Sequence, residues 1–202
     1  MKRLYKIFLV MLITIGTTVS CEDGEGAVYT LQNEVDTSGA ILRTLVKPAD
    51  LVTLTGANNS IDFTIEVQIG DGSTSEFKEV RLYLSLFQDQ DLLNPTLDEN
   101  GNEIVETLYE TINSSEFGVS ENNQLPEHSF AIPTADVVAN FQGAVFTIPT
   151  FMVPRLELEL NDGRIFTNTD VTATVATGAF YSSPFIYKII FISNNIRISI
   201  LW

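Results

Sequence analysis

The chain has 202 residues and a formal charge of −15; 45% of residues are hydrophobic, 18% are charged, and there is one cysteine and one histidine. So acidic a chain repels polyanions, which excludes nucleic acid as a partner, and a lone cysteine excludes an internal disulfide. Stability must come from a hydrophobic core, and the length suffices for one in a single domain.

Lys2, Arg3 and Lys6 give a basic start, Ile7 to Ile15 (IFLVMLITI) is uninterruptedly apolar, and Gly16 to Ser20 is small and weakly polar. That order is the pattern of a signal peptide over residues 1–20. The apolar run falls short of the about 20 residues that a membrane-spanning helix needs. Thr18-Val19-Ser20-Cys21 resembles the lipobox of bacterial lipoproteins, cut before a cysteine that carries diacylglycerol, with Thr18 standing where Leu is commonest. The loosened box and the acidic pair Glu22-Asp23 are similar to those of Bacteroidetes lipoproteins sent to the cell surface. The resemblance implies lipidation at Cys21, the membrane as partner through that lipid, and an outer-membrane location facing the cell exterior. Each buried acyl methylene contributes about 0.8 kcal/mol, so two or three chains hold a domain without a transmembrane segment. The alternative is an ordinary secreted protein cut nearby, with Cys21 left as a free thiol.

Residues 21–37 combine the cysteine with small and acidic residues of no sustained period, a tether, and residues 38–192 form the domain. Ala40 to Val46 predicts a first strand closed by Lys47-Pro48. Ile61, Phe63, Ile65, Val67 and Ile69 alternate with polar residues, which puts one face on a core and one in water. Gly70-Asp71-Gly72-Ser73 is a turn signal, and Val80, Leu82, Leu84 and Leu86 alternate after it, so the two runs predict a hairpin. Gln88 to Asn102 reads as loop, and Ile104 to Ile112 as a strand.

Ser129 to Ile132 is extended up to Pro133, and Thr134 caps one or two helical turns over Thr134 to Asn140. Pro149 and Pro154 restrict Ala144 to Pro154 to edge structure or a strap. Leu156, Leu158 and Leu160 alternate with Glu157 and Glu159; Asn161-Asp162-Gly163 suits a type I′ turn, after which Arg164 to Thr167 pairs back. Val171 to Thr177 alternates as a strand, and Phe180 to Phe191 is a last apolar stretch, with Pro184 to Ile192 as the closing strand. Residues 193–202 form an atypical tail: Ile186 to Trp202 holds seven isoleucines and no acidic residue, as a native hairpin around Asn194-Asn195 or a shifted reading frame would give.

The expected fold is all-β, an immunoglobulin-like sandwich of seven to nine strands with one short helix, a β-barrel being the alternative. The segments SGAILR (Ser38 to Arg43), VRLYL (Val80 to Leu84), LNDGR (Leu160 to Arg164) and FYSSPF (Phe180 to Phe185) are similar to patterns in uncharacterised Bacteroidetes surface lipoproteins associated with SusC/SusD-type import systems. That resemblance implies an accessory role in the envelope and brings no catalytic residues.

His128 reads as a surface loop residue, with no second histidine for a zinc site. Glu157 and Glu159 fall on the solvent face of a strand, so no catalytic residue is assigned. Outward Tyr83 and Phe87 are candidates to stack on a glycan. Asp89, Asp91, Asp98, Glu99, Asn100, Asn102 and Glu103 crowd one loop with the hard oxygen ligands that calcium takes, although the EF-hand spacing fails; a solvated polar loop accounts for the same residues. No other cofactor is expected. The expected function is a non-enzymatic, envelope-anchored binding or accessory module at the outer membrane, for glycan capture or transporter support. The alternatives are a polysaccharide-acting enzyme and a calcium-dependent adhesion module.

Overall fold

The computed structural model describes residues 39–54, 59–70, 77–177 and 182–192. Cys21, the Glu22-Asp23 pair, the tether, residues 71–73 of the predicted turn, Phe180-Tyr181 and the tail from Ser193 lie outside them. Among the described residues the chain is an all-β sandwich of two sheets. One has the order β1 (Ala40–Val46), β3 (Ser60–Ile69), β7 (Pro126–Pro133), β6 (Gly118–Val119). The other has the order β2 (Leu51–Thr53), β10 (Ile189–Ile192), β8 (Thr150–Leu160), β4 (Phe77–Phe87), β5 (Thr107–Asn113), with β9 (Ile165–Phe166) on β8. All neighbours are antiparallel except β2 and β10.

In immunoglobulin notation the first sheet is A-B-E-D, and the second carries G-F-C with a C′ strand beside C. The topology is therefore immunoglobulin-like and no barrel closes. The ten strand segments among the described residues exceed the expected seven to nine because β6 and β9 are two-residue pieces and β2 has three.

The core lies where the alternating runs meet. Ile61, Phe63, Ile65, Val67 and Ile69 of β3 face Val80, Leu82, Leu84 and Leu86 of β4 and Leu156, Leu158 and Leu160 of β8, all buried. This corrects the predicted hairpin: β3 and β4 belong to different sheets and pack face to face. Two adjacent strands with the same inward pattern fit either arrangement, because alternation reports a buried face and not a partner.

Pro154 is the second correction. It sits inside the eleven-residue β8, paired with Leu84, and not in edge structure or a strap. Leu156 donates to the Phe185 carbonyl (2.7 Å) and Tyr187 to the Pro154 carbonyl (2.9 Å), so the missing Pro154 donor points at the 185–187 segment. There the ladder is a single bridge, Arg155 with Ile186, and no strand bond is lost.

Val171 to Thr177, expected as a strand, contains helix α2 (Ala173–Thr177). The Thr172 carbonyl accepts from Val175 and Ala176 (3.0 and 2.9 Å). The edge of β8 away from β4 is covered in series by β9, the 185–187 segment and β10.

Smaller corrections concern the ends of elements. Pro133, not Thr134, is the N-cap of α1 (Thr134–Asn140), and Thr134 is buried in its first turn. In the Leu160–Arg164 turn only Gly163 has positive φ (89°), and its N–H bonds the Leu160 carbonyl at 3.0 Å. That is a three-residue loop with a bulge glycine and not type I′.

His128 is not in a loop. It lies in β7 opposite Ile65, its ring 5.3 Å from Phe117 and 4.8 Å from Phe130. Phe77, Phe117, His128, Phe130, Phe63 and Tyr187 form one run of neighbouring rings through the sandwich, with centroids 4.6 to 5.3 Å apart. The sequence places His128 two residues from Phe130, in step with the inward face.

The closing strand is internal, β10 lying between β2 and β8 with Ile189 and Phe191 fully buried. Phe191→Ala should therefore cost about 3–5 kcal/mol in urea unfolding, as truncation of a buried phenylalanine does. A cost under about 1 kcal/mol, the range of surface substitutions, would show that the chain near Ile192 is not part of the core.

Candidate functional site

The outward residues of β4 and β8 form a band of paired charges. Register sets Glu79 beside Glu159, Arg81 beside Glu157 and Tyr83 beside Arg155. Like charges oppose each other only at Glu79 and Glu159, and there Lys78 intervenes: its Nζ donates to Glu159 Oε1 at 2.8 Å, and Arg81 Nη2 to Oε2 at 2.7 Å. The Lys78 bond, with Arg81 in support, holds the Glu159 carboxyl below its usual range. Glu157 and Glu159 are thus both engaged by cations, as the solvent face of an amphipathic strand permits.

Arg155 is the centre of this face. Its Nε and Nη2 donate to the two oxygens of Glu106 (2.8 and 2.6 Å), its Nη1 donates to Glu157 (2.7 Å), and its guanidinium lies 4.4 Å from the Tyr83 ring centroid. The fork-to-fork geometry fixes orientation as well as charge. Ser85 Oγ also donates to Glu106, at 3.3 Å. Glu106 ends the long connection between β4 and β5, so Arg155 fastens that connection to the sheet.

Tyr83 and Phe87 are both half-buried on this face, four residues apart, as expected. The Tyr83 ring is not an open stacking surface, since Arg155 lies over it; the Phe87 backbone is bridged by Pro95 and paired with the buried Phe151. Burial raises the Tyr83 pKa, and the Glu157 charge raises it further.

The acidic loop is built as two separate turns. Asp89 accepts from the backbone of Leu93 and Asn94 and from the Asn94 amide (3.1, 2.9 and 2.6 Å). Asp98 accepts from the backbone of Asn100 and Asn102 and from the Asn102 side chain (2.8, 2.8 and 2.9 Å). These bonds hold both carboxyls below their usual range, that of Leu93 foremost for Asp89 and those of Asn102 for Asp98. Glu103 bridges Leu97 through its backbone. Among the described residues no three His, Cys, Asp or Glu side chains come together as a metal site, so Asp89, Asp91, Asp98 and Glu103 form no such group, while Asn100 and Asn102 are bonded to Asp98.

A cleft of about 440 Å³ lies where β1 meets the 182–188 segment. Thr44 of β1, Lys47 and Asp50 of the β1–β2 link, Ala176 and Thr177 of α2, and Ser182, Pro184, Ile186, Tyr187 and Lys188 line it. Its volume is within the about 300–1,000 Å³ of small-ligand sites. Tyr187 is held from behind by Phe63 (5.1 Å) and shares a 2.8 Å hydrogen bond with Thr44 Oγ1. Burial pushes the Tyr187 phenol up to about 12.

The wall from Ser182 to Lys188 is strained. Ser182 and Phe185 have φ of 42° and 55°, left-handed values that cost a non-glycine residue of order 1–3 kcal/mol and that concentrate at ligand sites. The surroundings fix both: the Ser182 carbonyl accepts from Thr44, and the Phe185 carbonyl from Leu156. Sequence reasoning missed this cleft because its members come from two stretches far apart in the chain, Thr44 to Asp50 and Ala176 to Lys188, and neither carries a local signal beyond the SSP turn signature at Ser182 to Pro184.

No protein-family model matches the chain, and no curated protein matches it.

Two pH effects follow. The Glu106 carboxyl is lowered, chiefly by its bonds to Arg155, so its stabilisation is present above the unfolded value of about 4.3 and fades as pH falls through the folded one. Arg155→Ala should cost about 1–2 kcal/mol at pH 7, discounted for partial exposure, and should flatten the acid limb of the stability profile. An acid limb unchanged in the variant would contradict the fastening role. The Tyr187 phenol is raised, so its stabilisation is present below the unfolded value of about 10 and is lost as pH rises through about 12. Urea unfolding from pH 9 to 12 should show this loss, and Tyr187→Phe should lack it; equal slopes would refute the burial of that hydroxyl.

Proposed function

We propose that the chain is a lipid-anchored, non-enzymatic module of the outer membrane that captures a small ligand or supports an import complex at the cell surface. The observation that carries this reading is the position of Cys21: the only cysteine, directly after a basic-apolar-small leader and ahead of an acidic tether. Two features of the domain support it. The acid–base groups on the outer face of β4 and β8 are engaged in ion pairs with Lys78, Arg81 and Arg155, an arrangement suited to a rigid face. The cleft at Thr44 and Tyr187 offers a concave site as it stands, whereas stacking a sugar on Tyr83 would first require Arg155 to leave its ring.

Metabolic labelling with radioactive palmitate tests the anchor. The wild-type chain should be labelled and sediment with membranes, and Cys21→Ser should be unlabelled and soluble; retention of that variant in the membrane would sink the lipoprotein reading. Protease added to intact cells should digest the wild type. Resistance that disappears on lysis would assign the anchor to the inner face.

A further inference from the structure

We infer that Asn100 is a site of spontaneous covalent modification, deamidating to aspartate and isoaspartate through Gly101, and that the hydrogen bonds of the Asp98 turn set its rate. The inference is independent of the lipid anchor and of any ligand.

Of all the asparagines in the chain, Asn100 alone is followed by glycine. The reaction needs no partner but water. The Gly101 backbone nitrogen gives up its proton and attacks the side-chain carbonyl carbon of Asn100; the new C–N bond closes a five-membered imide, and the side-chain amide leaves as ammonia. Water then opens the imide at either carbonyl. One opening gives aspartate, and the other gives isoaspartate, whose main chain runs through the former side chain. In sum, one water enters and one ammonia leaves, with no change of oxidation state. A side chain on the attacking residue would crowd the ring closure, and glycine has none. Both residues are exposed, and nothing lies within 4 Å of where a Gly101 Cβ would stand, so water has access to the imide.

The turn opposes the attack in two ways. The Asp98 N–H bonds the Asn102 carbonyl at 2.8 Å, the Gly101 N–H bonds the Asp98 carbonyl at 3.0 Å, and Gly101 has φ of 81°. This is a three-residue loop with a bulge glycine, the form also seen from Leu160 to Arg164. The proton that the Gly101 nitrogen must lose is therefore engaged in a hydrogen bond. In such a loop Asn100 takes the second central position of a type I turn, where ψ is near zero; ring closure needs its Cβ eclipsed with the Gly101 nitrogen, a rotation of about 120° away. The reaction must pass through an opened turn.

Asp98 holds the turn shut. Its carboxylate accepts from the Asn100 and Asn102 backbone and from the Asn102 side chain. Conversion of Asn100 adds a second carboxylate beside this one, and an isoaspartate adds a main-chain atom to a loop whose bonds fix its length. Either product loosens the turn that made it slow.

Ageing of the full chain in detergent at mildly alkaline pH, followed by peptide mapping and isoaspartyl methyltransferase assay, tests the inference. Asn100 should convert before any other asparagine and yield isoaspartate together with aspartate. The chain held unfolded in urea should convert faster at Asn100. Asp98→Ala should raise the native rate there about threefold or more, as loss of exposed charge-assisted bonds allows, while the rate at Asn161, in the equivalent loop but followed by Asp162, stays unchanged and reports an intact fold. Earlier conversion of another asparagine, aspartate without isoaspartate, or one rate at Asn100 in the native, unfolded and Asp98→Ala chains overturns the inference.

Discussion

The antiparallel pairing of β4 with β8 is the constraint from which the rest follows. It runs from Phe77 opposite Leu160 to Phe87 opposite Phe151, and its alternation sends leucines to the core and charges outward. The inward side gives β3 of the other sheet something to cover. The outward side brings Arg155 beside Tyr83, within reach of Glu106 and Glu157. Because β5 occupies the other edge of β4, the opposite edge of β8 must be completed by chain that arrives late. That chain is β9, the 185–187 segment and β10.

The cleft is a by-product of that late completion. The 182–188 segment has to leave α2, bond β1 through Ser182, follow β8 through Phe185 and Tyr187, and then enter β10. Meeting all of these in a few residues puts two non-glycine residues in left-handed conformations. The same path brings Tyr187 against Phe63, at the end of the aromatic run, and turns its hydroxyl to Thr44. The Thr44–Tyr187 hydroxyl pair thus lines this concavity for reasons of topology.

Much of the fold was legible in the sequence because strict alternation is a strong statement about burial. The inward residues of β3, β4 and β8 were all visible as such, and the sandwich class followed. Partner choice was not legible: β3 and β4 share a pattern whether they pair or face each other. Pro154 misled for a similar reason, since its effect depends on which side of the strand its missing donor faces, and that is set by residues 185–187. The alternation over Val171 to Thr177 gave way to local helical bonds to the Thr172 carbonyl. Of the candidate sites, Tyr83 and Phe87 were rightly placed on an outward face, but the guanidinium over Tyr83 comes from Arg155, on a neighbouring strand far along the chain. The oxygen-rich loop was rightly located too; that its aspartates would bind their own backbone depends on turn geometry that composition does not encode.

The arrangement of both sheets, and with it the cleft and the charged face, stands on β3 and β4 lying in different sheets. Nuclear Overhauser contacts between α-protons measure this most directly, since opposed residues in non-hydrogen-bonded antiparallel pairs have Cα atoms about 4.5 Å apart. The account predicts strong α-proton contacts between Leu82 and Leu156 and between Leu84 and Pro154, with none joining β3 to β4. A ladder of such contacts between Ile61–Ile69 and Val80–Leu86 would contradict it.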